Sequence, residues 1–381
     1  MHPIAFDQIP RPAWDRLLEL TPAATPFSRW TVHRAWWDAY GGTAHEQYLV
    51  AVGADAAPDA ERDPDQIRAI VPLMHRHEVE LQDAVTTTTL RRHSTKPVTT
   101  QVPDDAKAIF FGSAYHTDYA TILASTRDLN GVASALVRAL ADPPDPQHGS
   151  QPWDVVDLRR LKTDDPALAV LEACFRDAAP AHGWRVTRER EDVCPVVTAP
   201  GADWDEYLAT LDKKDRHEIR RKWRRAEGHG VIGVEIGPPD PAGLERFIEL
   251  HQARFGEEGL FPATAGGARS RRFVERLAEL ERSEPDGGQL RLAQVTVGGR
   301  LIYAALSFET DDTCFLYNAG MDPSASQLAP GVVGAAAYFR DRLAAGKRRF
   351  DFLRGDEPYK YEWGARDEVI ERLLVEREAA A

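Results

Sequence analysis

The chain has 381 residues, more than a single domain usually holds, so two domains of similar size are expected. Sixty Asp and Glu against 47 Lys and Arg leave a net charge of −13, which argues against broad, non-specific binding to nucleic acid or anionic membrane. Apolar runs are too short to span a bilayer, the opening MHPIAFDQIPRPAWDRL lacks a signal core, and Cys174, Cys194 and Cys314 are too scattered for disulfides or zinc; a soluble, cytoplasmic, metal-free protein is expected.

In the first half, amphipathic patterns predict helices over 11–20 and 28–40, the second rich in core Trp. Strands are predicted over 47–52 and 67–73, separated by a Pro/Asp/Ala loop at 53–65, with Pro72 at a strand end where a lost donor is tolerated. After a Thr-rich stretch with β character come a strand over 119–124, a helix over 131–141, a loop (DPPDPQHGSQP) and a strand over 153–158. The second half predicts one long charged helix over 203–228, a strand over 231–236, helices over 242–255 and 269–281, and strands over 290–297, 301–308 and 314–319, with Gly298-Gly299 as a hairpin turn. A helix over 331–345, opened by Pro330 and closed by Gly346, leads to a strand over 348–353 stopped by Gly355. Both halves thus read as strands, helix, strand, and both final strands run into Leu-Arg, at Leu158-Arg159 and Leu353-Arg354. The simplest account is a tandem duplication in an α/β (α+β) architecture, each domain a mixed, mostly antiparallel sheet flanked by helices, divided as 1–198 and 199–381.

Two segments carry chemistry. Between Asp212 and Glu227 stand eight Lys/Arg against four Asp/Glu, readable as a solvated helix laced by Asp212–Arg216 and Glu218–Lys222 pairs or as a phosphate-facing helix. The stretch Phe350-Asp351-Phe352-Leu353-Arg354-Gly355, followed by Tyr359-Lys360-Tyr361-Glu362-Trp363, sets charged and aromatic residues directly after a strand, where a ligand cleft would use them. His251 shares an inward helical stripe with Leu244, Phe247, Ile248 and Phe255, so it reads either as a hydrogen-bonded core residue or as a catalytic or acceptor contact.

The blocks Leu211 to Lys222, Phe247 to His251, Pro330-Gly331 and Asp351 to Trp363 resemble, in order and spacing, the acetyltransferase domain of CelD/BcsL-type proteins. These form a branch of the GNAT superfamily related to the Fem-type peptidoglycan bridge-forming aminoacyltransferases. The resemblance covers the C-terminal half well and the N-terminal half weakly. It implies tandem GNAT-like domains, with acetyl-CoA as acyl donor and an amine or hydroxyl of a cell-envelope, glycan or peptidoglycan precursor as acceptor. The donor pyrophosphate is then expected at the start of the helix after the fourth strand, at Gln327, Ala329, Gly331 and Val332. That loop departs from the family's Arg/Gln-x-x-Gly-x-Gly/Ala pattern, and Pro330 removes one donor, while 125–131 in the first half has no glycine-rich turn. The donor is therefore assigned to the second domain, and the first is read as structural or acceptor-binding.

Acyl transfer needs a base, an oxyanion stabiliser and an acid for the leaving thiolate. Asp351 is the candidate base or acceptor-orienting carboxylate, with a structural pairing to Arg354 or Lys360 as its alternative. Lys360 matches the family's Tyr-Lys pair as oxyanion or phosphate ligand, Tyr361 is the candidate acid beside Tyr359 and Tyr317, and His251 completes the catalytic candidates. Arg216, Arg220, Arg354, Tyr317 and Trp363 are expected to contact substrate. Two alternatives remain: a Fem-type transferase using aminoacyl-tRNA, against which stands the missing long helical arm, and a catalytically silent binding module. No DNA partner and no membrane insertion are expected.

Overall fold

The computed structural model describes residues 1–53, 60–76, 102, 106–142 and 152–377. The Thr-rich stretch, part of the Pro/Asp/Ala loop and most of the DPPDPQHGSQP loop lie outside the described residues. The described residues form two compact units: those through Asp192 together with those from Glu368 belong to the first, and Val193–Asp367 form the second. The division falls inside the strand Trp184–Thr198, before the expected 198/199 boundary, and the last strand, Arg366–Arg377, joins the first unit almost entirely. The sequence reading places that strand's residues in the second domain. It pairs antiparallel with Val155–Lys162, from Ile370 opposite Lys162 to Glu376 opposite Val155, a long-range match without local signal.

In the first unit, helix Arg11–Leu20 matches its expected span, and the next expected helix divides into a 3-10 turn at Pro26–Ser28 and the helix Trp30–Tyr40. Pro72 cuts the expected 67–73 strand into Ile67–Val71 and Leu73–Arg76, because it has no N–H to give a ladder, while its carbonyl accepts from Gly112 N at 2.7 Å. Of the expected strand over 119–124 only Leu123–Ala124 forms. The chain before it turns through positive φ at Ser113 and Tyr115, a conformation closed to extended strands. The sequence reading passes over strand Ala108–Phe111, helix Pro166–His182 and strand Trp184–Thr198. The helix is capped by Asp165, which accepts from Ala167 N, and it contains Pro180, a local contradiction that hides it from propensity. The helices Leu129–Ala141 and Pro166–His182 bury Leu136, Leu168, Leu171 and Phe175 against strand residues Ile109, Val156 and Leu373.

In the second unit the sheet runs Ile232–Gly237, Leu290–Val297, Arg300–Glu309, Thr313–Met321, Arg349–Asp351 and the end of Trp184–Thr198. The hairpin turn is where the sequence puts it: Val297 pairs with Arg300 across Gly298 and Gly299, both at positive φ, as a two-residue turn of right-handed twist demands. The long charged helix divides into Trp204–Thr210 and Lys213–Glu227, since Leu211 and Asp212 adopt extended backbone angles that bury Leu211. Helix Pro330–Ala344 lies on the sheet at Gly334, where a Cβ would meet the Tyr303 ring at 2.2 Å, so only glycine permits this approach. Beneath it Phe339 stacks on Phe350 at 4.1 Å and on Trp363 at 5.1 Å. Each such ring stabilises the fold by roughly 1.5–3 kcal/mol on burial.

Both units contain the same device. In the first, Ala108–Phe111, helix Leu129–Ala141 and Val155–Lys162 form a parallel crossover, and in the second Thr313–Met321, helix Pro330–Ala344 and Arg349–Asp351 do so. Each parallel ladder has three pairs and ends on Phe opposite Asp, Phe110 with Asp157 and Phe315 with Asp351. Shortly beyond, each chain takes a non-glycine residue to positive φ, Arg160 and Leu353. The repeated architecture is thus visible in register. The two aspartates differ in their surroundings: Asp157 is gripped by Arg372 through Nε at 2.6 Å and Nη2 at 2.8 Å, with Arg159 at 2.9 Å, and Arg372 also reaches Glu189 at 2.9 Å. Replacing Arg372 with Met is expected to leave Asp157 under-compensated in a dry site and to cost on the order of 3 kcal/mol in urea unfolding. An unchanged unfolding midpoint would show that Arg159 alone suffices.

Candidate functional site

The second unit's parallel ladder opens after Phe315 and Asp351, and from there residues 316–321 have, among the described residues, a strand neighbour on one side only, Arg300–Glu309. On that side a bulge sets Leu306 opposite Asn318 and Ser307 opposite Leu316, so Tyr317 is the extra residue and the strand bends there. The crossover helix leaves from the end of Thr313–Met321, so its start lies at the opened end of the ladder. The result is a wedge: bulged strand on one side, the 351–355 turn on the other, the helix start at its mouth.

The helix start is built by Ala329, which takes a left-handed conformation at φ 50 and accepts from both Val332 N and Val333 N at 3.0 Å. Pro330 has no N–H, so Gly331 carries the one first-turn amide without a backbone partner among the described residues. Gln327 is exposed at the end of the preceding 3-10 helix, and Gly331 and Val332 are half-buried. The helix dipole and the Gly331 amide favour an anion at this mouth.

The opposite wall depends on Lys360. The residue sits on the short helix Pro358–Tyr361 and is buried, 3% exposed. Its ammonium donates to the carbonyls of Leu353 at 3.0 Å and of Arg354 and Gly355 at 2.9 Å, with Glu357 Oε2 at 2.9 Å as counter-charge. Burial works to lower its pKa, but the Tyr359 phenol and Glu357 outweigh that and hold it above the ordinary lysine value. An ammonium has three N–H groups, and three carbonyls take them. Lys360 was expected to face an oxyanion or phosphate; the structure directs it to the turn, where it holds Leu353 and Gly355 at positive φ.

Asp351, 1% exposed, accepts from Leu353 N at 2.8 Å and so shapes the same turn. Arg354 is half-buried and gives its carbonyl to Lys360. Tyr361 donates to Asp367 Oδ1 at 2.5 Å, away from Lys360's carbonyls, and Trp363, expected at the substrate, lies in the core against Phe339, with its carbonyl taking the Tyr207 hydroxyl at 2.7 Å. Tyr317 is half-buried at the bulge, edge-on to Phe308 at 5.8 Å. Arg216 and Arg220 both reach back to the preceding helix, Arg216 to the carbonyls of Ala209 and Leu211 and Arg220 to Asp205 at 2.8 Å.

His251 comes to the bulge from helix Pro241–Phe255. The helix packs so closely on the strand that a Cβ on Gly320 would lie 2.4 Å from His251 N. Its ring is enclosed by Phe255 at 4.7 Å and Phe261 at 5.1 Å, and it is hydrogen-bonded to Asn318, the residue after the bulge. Burial, aided by the Arg254 charge and opposed by Asn318, lowers its pKa to about 4, and among the described residues its Nδ1 has no hydrogen-bond partner. At neutral pH it is an uncharged imidazole with a lone pair in a dry setting. Asn318, read from the sequence only as the start of the loop leading to the donor-phosphate helix, is not among the expected catalytic or substrate contacts, and here it holds His251.

Residues 213–361 match the family model of the acetyltransferase (GNAT) domain. Over these residues the second unit is thus similar to a GNAT acetyltransferase domain, and the wedge lies within the matched stretch. No curated protein matches the chain. Among solved structures, FemX is similar over 98% of this chain and 97% of its own, with 10% identity and a TM-score of 0.58. A conserved protein of unknown function from Bacteroides thetaiotaomicron VPI-5482 follows with 98% of both chains covered, 11% identity and a TM-score of 0.54. L-PGS from Bacillus licheniformis has 98% and 93% covered, 10% identity and a TM-score of 0.52. At such identities these likenesses establish the fold over the whole chain.

Two outcomes follow from the geometry. Lys360→Met is expected to strand three carbonyls and Glu357, lowering unfolding stability by about 2–4 kcal/mol and increasing amide exchange at 353–355; a fully stable variant would return Lys360 to chemistry. His251, with its folded pKa near 4 against an unfolded value of 6.5, takes up its proton first in the unfolded chain. Its contribution is intact above pH 6.5 and is lost as pH falls toward 4, on the order of 3 kcal/mol. Buried His33, lowered to about 3, adds a slope of the same sign. His251→Asn should remove one proton's worth of that slope from unfolding curves across pH 6.5 to 4, and an unaltered slope would contradict the assignment.

Proposed function

We propose that the second unit transfers an acyl group from a coenzyme A thioester, acetyl-CoA in the first instance, to an amine or hydroxyl acceptor. The observation that carries this reading is the ladder that opens after three pairs beside a bulged strand, at the start of a crossover helix. An extended thioester fits such a wedge as a substitute strand against the free edge of 316–321, with its phosphates at the Gly331 amide. The acceptor atom attacks the thioester carbonyl carbon, the carbon–sulfur bond breaks, the acceptor's proton passes to a base and the thiolate takes a proton. The backbone amide of Tyr317, the residue the bulge leaves without a register partner, suits the developing oxyanion. Asp351 and neutral His251 are the proton acceptors at the two walls, and Tyr317 is the candidate acid, since Tyr361 is committed to Asp367.

The CelD/BcsL branch and a cell-envelope or polysaccharide acceptor are the finer reading, supported by the sequence resemblance. The whole-chain fold likeness to FemX keeps a second donor, aminoacyl-tRNA, in view. Calorimetric titration of the full chain with acetyl-CoA and, separately, with charged tRNA decides between them. Binding of acetyl-CoA alone is expected, charged tRNA alone would favour the second donor, and binding of neither would leave a silent module. With a working acceptor, Asp351→Asn, which keeps an oxygen for Leu353 N, is expected to lower turnover roughly 10²-fold with little change in melting temperature. Near-normal turnover would make Asp351 a turn residue only.

A further inference from the structure

The acyl-transfer site leaves the face of helix Lys213–Glu227 unused. Arg216, the residue of this helix nearest to a site role, turns inward to the carbonyls that end the helix before it. At about 100° per residue, Lys213, Lys214, His217, Arg220, Arg221, Arg224 and Arg225 fall within one sector about 140° wide and, at 1.5 Å per residue, about 18 Å long. All seven are exposed, and the acidic residues of the helix lie outside that sector. Arg220 and Arg221 have exposed partners in Asp205 and Glu218, pairs that exchange readily. Among the described residues Lys213, Lys214, Arg224 and Arg225 have no carboxylate partner. A row of unpaired cations on a protein of net charge −13 opposes the general charge and marks a surface for an anion.

We propose that this stripe docks the protein on an anionic lipid surface. Three observations favour a membrane over a nucleic acid. The stripe is the convex side of a regular helix, which lies flat on a plane and offers no groove for a strand. It contains no Phe, Tyr or Trp to stack on bases: the helix's Trp223 is half-buried, bonded to Glu227 at 2.7 Å and covered by Arg340 at 5.6 Å. Three residues beyond the Gly228 cap that ends the helix at Glu227, Val231 is 82% exposed, a large apolar side chain that water disfavours and an interface accepts. Cations near a charged bilayer each raise partitioning roughly fivefold. This inference stands on its own, whatever the acyl donor.

The test is co-sedimentation of the full chain with vesicles of phosphatidylcholine alone and of phosphatidylcholine containing phosphatidylglycerol. Binding to the anionic vesicles only, weakened by salt, is the expected result. A variant with Lys213, Lys214, Arg224 and Arg225 all changed to Gln, its folding checked by its melting curve, should lose on the order of a hundredfold or more in partitioning. Val231→Ser should lose a smaller part and guards against a quadruple variant that fails to fold. Equal binding to neutral vesicles, no loss in the variants, or tighter binding to bulk tRNA at equal phosphate with Val231→Ser indifferent would each overturn the proposal.

Discussion

The buried Lys360 ammonium is the interaction on which the second unit's cleft depends. A parallel strand pair that crosses over by a helix would ordinarily continue its ladder, and a continued ladder would close the wedge. Here the strand stops at Asp351, and the chain enters a turn with Leu353 and Gly355 at positive φ, a costly conformation for leucine. Three carbonyls converging on one point repel each other unless a cation sits among them, and Lys360 supplies it with all three of its N–H groups. Asp351 closes the turn from the other end by taking the Leu353 amide. Electrostatics inside a dry turn thus decides where the sheet opens.

The first unit shows what the same fold becomes without that arrangement. Its ladder also ends on a Phe–Asp pair, but Asp157 is saturated by Arg372 and Arg159, and Arg160 at positive φ is held by Glu191 and the Thr117 carbonyl. Where the second unit directs a lysine to backbone carbonyls, the first fills the corresponding place with side-chain ion pairs. A duplicated architecture has therefore kept its register and lost equivalence in its polar groups.

Much of this was legible in the sequence. Hydrophobic period and turn chemistry located the second unit's strands, the Gly298-Gly299 hairpin and the crossover helix opened by Pro330, because each is specified by residues adjacent in the chain. The Asp351 to Trp363 stretch was recognised as important, but whether a lysine faces ligand or backbone depends on how the chain folds around it, and spacing carries no trace of three carbonyls converging. Trp363 misled for a similar reason: a Trp near a charged loop reads as a contact surface, and only packing on Phe339 shows it to be core. The strands Trp184–Thr198 and Arg366–Arg377 were missed because their charged residues, among them Arg188, Arg372 and Glu371, find partners far along the sequence.

The place of Arg366–Arg377 has a consequence for how the protein is made. A chain emerging from the ribosome usually folds its first domain while the second is still being synthesised. Here the first unit's strand Val155–Lys162 waits for a neighbour more than two hundred positions later, and Asp157 waits with it for Arg372. Until those residues arrive, a buried carboxylate and a strand edge stay uncovered, so the unit that begins first finishes last. The chain's order of synthesis and its order of completion run in opposite directions.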